Sequence, residues 1–242
     1  MGPARHDPPA GRIVVGTSGY NYPEWKGAFY PGGLSASKML PYYAERFPTV
    51  EINYTFYRLP NAKTVAGWTA ATPDAFTFAL KASQRITHFQ RLREVAEPVR
   101  YFCDTARLLG KKLGPLLFQL PPNFKKDTER LGGVLGLLPS DLRVAFEFRH
   151  PSWFDEEVYG LLRARNVALC IVDHDDGPTP AVATTEWGYF RLRAVEYSAE
   201  DLARWAKTIR ELFAAGGAFV YFKHEDGATG PPLARKLTEF LA

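Results

Sequence analysis

Short apolar runs alternate with longer amphipathic stretches from residue 12 to the end of the chain. Eight of these runs have the length and the β-branched or aromatic composition of strands. Between several of them, apolar residues recur at helical spacing, as Leu202, Trp205 and Ile209 do. The predicted strands cover residues 13–16, 50–54, 76–81, 116–120, 144–148, 168–172, 189–193 and 218–223.

Polar residues with the spacing of N-terminal caps support several of the predicted helices. Ser198 and Asp201 have the spacing of a capping box, in which two side chains satisfy free backbone N–H groups. Ser152 and Asp155 repeat this spacing after the fifth strand, so Ser152 is the predicted cap there. A further helix is predicted over about residues 37–46, whereas residues 174–186 hold too many Gly, Pro and Thr for a good helix.

This alternation predicts an α/β fold, a single TIM (β/α)8-type barrel, because eight strands with intervening helices can close without an exposed edge. The length of 242 residues suits one such domain, placed at residues 12–242. Residues 1–11 hold three Pro and two Gly without apolar periodicity, which predicts a disordered tail. No apolar run approaches the ~18 residues of a membrane span, so we expect a cytoplasmic protein.

Polar residues lie at the carboxyl ends of most predicted strands. On the fifth strand, Glu147 and Arg149 are two positions apart and therefore share a face. Interior layers of barrels are filled by branched apolar residues, so this placement predicts the mouth of a site. Internal ion pairs that only fill space are the alternative. The residues placed at the mouth are Glu51, Asn53, Lys81, Gln119, Glu147, Arg149, Asp173, Arg191, Arg193 and Lys223.

The charge of this predicted mouth is mainly positive. Its five Lys and Arg residues outnumber its three carboxylates, which favours a small anionic ligand. The net charge of +4 is also uneven, since residues 81–130 hold 11 Lys and Arg against 5 Asp and Glu. A basic surface of this kind attracts polyanions, and a solvated helix face without a partner is the alternative.

Two loops at the same end of the barrel add candidate binding groups. Residues 20–30 contain five aromatics, and Tyr20 and Trp25 could stack on a sugar or a base. A hydrophobic cluster that holds the long loop down is the alternative. Residues 223–231 contain glycines ahead of the last helix, where barrels of this class often bind phosphate.

Several short motifs follow one another along the chain. They are Gly16-Thr17-Ser18-Gly19, Glu51-Ile52-Asn53 with Thr55-Phe56-Tyr57, Phe76-Thr77-Phe78-Ala79-Leu80-Lys81, Gln119-Leu120-Pro121-Pro122 with Phe124, and Glu147-Phe148-Arg149-His150 with Trp153. This series resembles that of the YecE-like family, also called domain of unknown function 72. The resemblance covers nearly the whole chain after residue 12 and implies a TIM-barrel fold, without a settled activity. It also draws Tyr57, His150 and Trp153 into the candidate binding set.

The chain departs from this family pattern at two places. The family commonly has His-Gly after the arginine of the seventh strand, where this chain has Arg193-Ala194. It commonly has Phe-Asn-Asn at the end of the eighth strand, where this chain has Phe222-Lys223-His224. Both substitutions make the predicted mouth more basic, and roles known for relatives do not transfer to these positions.

The chemistry predicted for the mouth is that of an enzyme acting on a small phosphate- or carboxylate-bearing substrate. Glu147, Glu51 and Lys81 are the candidate catalytic residues, with Glu147 as general base or acid. The sequence leaves open whether the reaction is that of a hydrolase, a lyase or an isomerase. No P-loop (Walker A) motif, HExxH motif or dinucleotide fingerprint occurs, and no cofactor is expected.

Three alternatives remain open from the sequence. A divalent metal could be held by Glu147, Asp173 and His224, with His150 or His174 assisting, as in a metal-dependent hydrolase. A nucleic-acid binding protein would use the basic residues 85–112 together with the aromatic loop. A plain scaffold would keep the charged barrel for structural reasons only.

Overall fold

The barrel is closed in the computed structural model, which describes residues 11–174, 177–223 and 228–242. Eight parallel strands pair in chain order and β8 pairs with β1, which confirms the predicted α/β barrel of the TIM type. The predicted tail falls on residues 1–11, of which 1–10 lie outside the described residues. The strands are β1 (Ile13–Ser18), β2 (Thr49–Ile52), β3 (Thr77–Lys81), β4 (Leu113–Gln119), β5 (Val144–Glu147), β6 (Ala168–Asp173), β7 (Gly188–Leu192) and β8 (Ala218–Phe222).

Helices connect most of the strands. The capping box of Ser198 and Asp201 forms at the start of α7, as predicted. Residues 177–187, the described part of the connection between β6 and β7, contain no helix. In the described ranges no helix is long and apolar enough to cross a bilayer. The helices are α1 (Ala36–Ala44), α2 (Tyr54–Tyr57), α3 (Ala62–Ala70), α4 (Ala96–Arg107), α5 (Thr128–Leu137), α6 (Glu156–Ala164), α7 (Ala199–Phe213) and α8 (Gly230–Leu241).

The start of α6 differs from the prediction. Asp155, not Ser152, caps this helix, and its carboxylate accepts a backbone N–H of the first turn over 3.0 Å. Ser152 lies in a separate 3-10 turn (Pro151–Trp153), where its hydroxyl oxygen accepts the N–H of Lys126 over 2.8 Å. An aspartate is the stronger cap here because its charge also complements the helix dipole.

The barrel interior forms an apolar cluster of its own, apart from the core between the strands and the helices. Ala145 of β5 and Tyr189 of β7 belong to this interior cluster. Because side chains alternate along a strand, Glu147 and Arg191, two residues further on, face the interior as well. The apolar interior therefore ends in a charged layer at the carboxyl ends of the strands.

Two glycines allow close backbone approach at the top of β1. A side-chain carbon at Gly16 would lie 2.2 Å from the carbonyl oxygen of Thr49 on β2. Gly19 has a φ of +95°, and its N–H donates to the carbonyl of Glu51 over 2.8 Å. This turn holds Ser18 directly beside Glu51.

Candidate functional site

One arginine joins two carboxylates across the barrel. Arg191 of β7 donates through Nη1 to Oε2 of Glu147 over 2.6 Å and through Nη2 to Oε1 of Glu51 over 3.0 Å. Glu147 belongs to β5 and Glu51 to β2, so the guanidinium links three strands that are not adjacent in the sheet. All three side chains are closed to solvent.

Glu51 has a donor for each carboxylate oxygen. The Ser18 hydroxyl donates to Oε1, and the Tyr189 hydroxyl donates to Oε2 over 2.6 Å. Burial raises the pKa of Tyr189 well above its ordinary value, and the charge of Glu51 adds to this shift. Tyr189 therefore stays a protonated donor at any ordinary pH.

Both carboxylate oxygens of Glu147 also accept hydrogen bonds. Its Oε1 accepts from Nε2 of Gln119 over 2.8 Å and from Nε of Arg149 over 3.2 Å. Burial alone raises the pKa of a carboxyl, but the surrounding cations, above all Arg191, hold the pKa of Glu147 well below its ordinary value. The predicted acid–base role of Glu51 and Glu147 stays a prediction. The geometry weighs against it, because a fully bonded carboxylate with a low pKa is a poor base.

The amine of Lys81 lies beside this network without a counter-ion. Lys81 follows Ala79 of the interior cluster by two residues, so its side chain faces the barrel interior. Among the described residues its Nζ has no hydrogen-bond or ion-pair partner, and it lies 4.1 Å from the centre of the Phe56 ring. Burial lowers the pKa of Lys81 to about 7, with Arg191 acting in the same direction and Glu147 against it.

The loop after β3 brings a histidine to this amine. The ring of His88 packs edge-on against Phe56 at 4.9 Å, and its Nδ1 lies 2.9 Å from Oγ1 of Thr87. Burial lowers the pKa of His88 to about 4, and the charges of Lys81 and Arg149 add to the shift. His88 is therefore a neutral imidazole near pH 7.

The backbone of the same loop is strained. Arg85–Phe89 forms a π-helix, and three non-glycine residues after it have positive φ values, at Arg91 (46°), Leu92 (65°) and Glu94 (49°). Such residues cost free energy and cluster at functional sites. π-helical turns are also frequent at functional sites.

Two side chains near the network have buried polar atoms that find no partner in the described part of the chain, Nη1 of Arg193 and Oδ1 of Asn53. Arg193 forms no ion pair with a described residue, and burial together with the charge of Arg191 lowers its pKa. The amide of Asn53 is held in place because its Nδ2 donates to Oγ of Ser18 over 2.8 Å. A bound molecule or water could satisfy both free atoms.

Asp173 does not face the mouth, which corrects the prediction. Val172 belongs to the interior cluster, so Asp173, one residue further along β6, points outward. Its Oδ2 accepts the indole N–H of Trp205 on α7 over 2.8 Å. The mouth therefore has one carboxylate fewer than the sequence predicts.

Trp25 and Trp153 offer no exposed ring on which a ligand could stack, because both side chains are fully buried. Trp25 packs on Tyr22 (4.9 Å between ring centres) and Tyr30 (6.1 Å), in an aromatic cluster that holds its loop against the barrel. Trp153 stacks on Phe148 at 4.8 Å. The structure thus favours the hydrophobic-cluster alternative over stacking on a ligand.

The other predicted aromatic residues differ in exposure. Tyr20 is half-buried, its ring lies 6.2 Å from that of Tyr43, and burial raises its pKa. Tyr57 is 71% exposed, and Tyr54 of the same short helix and Phe89 of the strained loop are also exposed. These three form an aromatic rim on the loops that follow β2 and β3.

The metal alternative gains no support from the described residues, in which no group of three or more His, Cys, Asp or Glu could hold an ion. Asp173 points outward, and Nδ1 of His150 lies 2.8 Å from a serine hydroxyl. His174 is half-buried, and burial lowers its pKa. His224 and residues 225–227 of the predicted phosphate loop lie outside the described residues. Lys223, at the end of β8, is half-buried.

A family model described as "Protein of unknown function DUF72" matches residues 14–242. The chain belongs to the DUF72 family. It is 26% identical to the UPF0759 protein YunF of Bacillus subtilis over 95% of this chain and 94% of that protein.

Solved structures of two DUF72 proteins resemble this one. The Thermotoga maritima protein is 29% identical, with a TM-score of 0.83 over 94% of this chain and 99% of that one. An Enterococcus faecalis protein has a TM-score of 0.81 at 21% identity, with 95% of both chains covered, and that likeness shows the fold alone.

Part of the basic stretch of this DUF72 chain is occupied by contacts with its neighbours. Arg100 pairs with Glu97, and Arg107 pairs with Asp141 over 2.9 Å. Lys112 is buried and donates to backbone carbonyls of α3 and the turn after it over 2.6 and 2.7 Å. The positive charge counted along the sequence is therefore only partly available to a polyanion.

Sequence reasoning missed three residues of this DUF72 site. Tyr189 was detectable, because it shares the inward face of the seventh strand with Arg191 and Arg193. Ser18 ends β1 and belongs to the motif Gly16-Thr17-Ser18-Gly19, but it was not placed at the mouth. His88 carries no periodic signal, because the π-helix that positions it belongs to neither regular pattern.

Proposed function

We propose that the barrel mouth binds a small phosphate- or carboxylate-bearing anion, with Arg149 and Arg193 as its clamp and Lys81 at its floor. This extends the family assignment, which names no ligand and no reaction. The observation that carries the proposal is Arg193, a partly buried guanidinium with no ion pair among the described residues and with Nη1 unbonded. A buried cationic donor is costly unless an anion meets it.

The charge balance supports an anion. Arg191 and Arg149 together offset the two carboxylates of Glu51 and Glu147. Lys81 and Arg193 then remain as cations without a counter-ion in the described part of the mouth. Since Asp173 points away, an incoming anion meets little repulsion from the carboxylates of the described residues, in which Glu51 and Glu147 are both paired with arginines.

The aromatic rim supports a ligand larger than a bare ion. Tyr57 packs edge-on against Phe56 at 5.1 Å, and Phe56 in turn contacts Lys81. An organic group attached to the anion could therefore rest on exposed aromatic surface while the charge lies deeper. Strain in the loop after β3 agrees with this location.

Thermal unfolding in the presence of inorganic phosphate, sulfate or glyoxylate tests the proposal. We expect the melting temperature to rise, with about 1.4 kcal/mol of stabilisation for each tenfold increase of ligand above its dissociation constant. Arg193→Gln should remove most of the rise. The matched control is Arg204→Gln on the exposed face of α7, which should leave it unchanged.

Two results would contradict the proposal. One is the same rise in Arg193→Gln as in the natural protein, since the anion would then bind elsewhere. The other is no response to any of these anions combined with tight binding of a single-stranded oligonucleotide that weakens steeply with salt. That second result would favour the nucleic-acid alternative, because contact with many phosphates gives a large salt dependence.

A further inference from the structure

The amine of Lys81 is placed as a nucleophile rather than as a structural cation. It stands at the carboxyl end of a barrel strand and faces the interior, where barrel enzymes carry catalytic groups. Within the described residues no carboxylate or carbonyl binds its Nζ, which lies against the face of Phe56. An amine becomes nucleophilic when an apolar wall and neighbouring cations disfavour its protonated form.

A second buried lysine shows what a structural amine looks like in the same chain. Lys112 is 8% exposed, the same as Lys81. Its Nζ donates to the carbonyl oxygens of Thr69 (2.7 Å) and Thr72 (2.6 Å) and to the Thr72 hydroxyl (3.2 Å). Three acceptors bind the amine of Lys112, whereas the amine of Lys81 has none among the described residues. Burial is matched between the two, so they differ in their bonding and in the charges around them.

We propose that Lys81 forms an imine with the aldehyde or keto group of a small anionic substrate. This rests on the proposed function, because the clamp of Arg149 and Arg193 would bind the carboxylate or phosphate of that substrate. The substrate class is therefore an oxo acid or a phosphorylated sugar with a free carbonyl.

The bond changes balance without an oxidant or a reductant. The neutral amine of Lys81 adds to the carbonyl carbon, and the proton that nitrogen loses passes to the carbonyl oxygen, giving a carbinolamine. The oxygen then takes a second proton from a solvent water molecule, which is left as hydroxide, and departs as water, while a C=N double bond replaces the C–O bond. The resulting iminium withdraws electrons from the adjacent carbon, as lysine-dependent barrel chemistry requires.

Charged and titratable groups surround this amine on several sides. Arg191 on β7 and Arg149 after β5 oppose its protonation, whereas Glu147 and Glu51 favour it. His88, on the loop after β3, packs against the same Phe56 ring that Lys81 contacts and is neutral near pH 7. Since burial and the arginines prevail, about half of Lys81 is uncharged at pH 7, on the order of a thousandfold more than for an ordinary lysine.

Reductive trapping tests the inference. The protein is incubated near pH 7 with glyoxylate or pyruvate and sodium cyanoborohydride, which reduces an imine to a stable amine. Mass spectrometry of the digest then locates the adduct. We expect Lys81 to be labelled at least tenfold faster than Lys112 or any surface lysine, within the thousandfold bound set by its neutral fraction. Lys81→Arg, which keeps a positive charge, should lose the fast label.

The outcomes separate this inference from the proposed function. Labelling that spreads over surface lysines and spares Lys81, while anions still raise the melting temperature, overturns the inference and leaves anion binding intact. Labelling of Lys81 by neutral propionaldehyde as fast as by glyoxylate supports the nucleophile and contradicts the anion clamp. If Lys81→Arg does not fold, the ratio of Lys81 to Lys112 labelling in the natural protein decides the question.

Discussion

The Arg191 guanidinium donates to Glu147 over 2.6 Å, although both side chains are closed to solvent and come from strands two apart in the barrel. Its second amino group bonds Glu51 over 3.0 Å. A buried ion pair of this kind is costly to break, because the partner left behind is an uncompensated charge. The pair therefore fixes the geometry of the mouth.

Glu147→Gln is expected to destabilise the fold by roughly 3–5 kcal/mol, because Arg191 and Arg149 would lose their shared carboxylate. Urea unfolding measures the loss. The control is Glu157→Gln, whose carboxylate forms an exposed pair with Lys126 and should cost less than about 1 kcal/mol. A Glu147→Gln protein of unchanged stability that no longer turns over or binds ligand would instead restore the acid–base role predicted from the sequence.

Lys81→Met is expected to stabilise the protein more at low pH than at high pH. The folded-state pKa of Lys81 is about 7, below the ~10.4 of an unfolded lysine. Below pH 7 both states are protonated and the folded state bears the full cost of the buried charge. As the pH rises from about 7 to about 10, the folded state releases its proton first and the cost disappears.

Melting temperatures of Lys81→Met and of the natural protein, compared at pH 6 and at about pH 9, check this sign. The difference between them should be larger at pH 6. A difference that is constant with pH, or larger at pH 9, would show that Lys81 keeps an ordinary pKa in the folded protein.

Asp173→Ala should lower stability while the response to anions stays intact. The substitution removes the acceptor of the Trp205 indole N–H, which costs about 1–3 kcal/mol when the donor is left without a partner. Because Asp173 points outward to α7, the shift of the melting temperature by phosphate should equal that of the natural protein. Loss of that shift would show that Asp173 contributes to anion binding at the mouth, as predicted from the sequence.

The period-2 pattern was sufficient to predict the barrel and most of its mouth. A strand has only two faces, so closure of eight strands places the side chains of Glu147, Gln119 and Arg191 together in the interior. Asp173 was placed on the wrong face, because a shift of one residue along a strand moves a side chain to the opposite face. Val172 packs inside the barrel, so Asp173 faces outward. The cap of α6 was placed at Ser152 instead of Asp155 for a different reason, because the 3-10 turn that contains Ser152 is not visible in the sequence.

What the sequence by itself determined is the order of strands and helices and the clustering of charge at the strand ends, because both follow from local periodicity. What only the tertiary structure decided is which charges neutralise one another. Arg191 finds both carboxylates across the barrel, whereas Lys81 and Arg193 find no counter-ion among the described residues. Pairing depends on distances between residues up to 140 positions apart, and no local pattern carries that information.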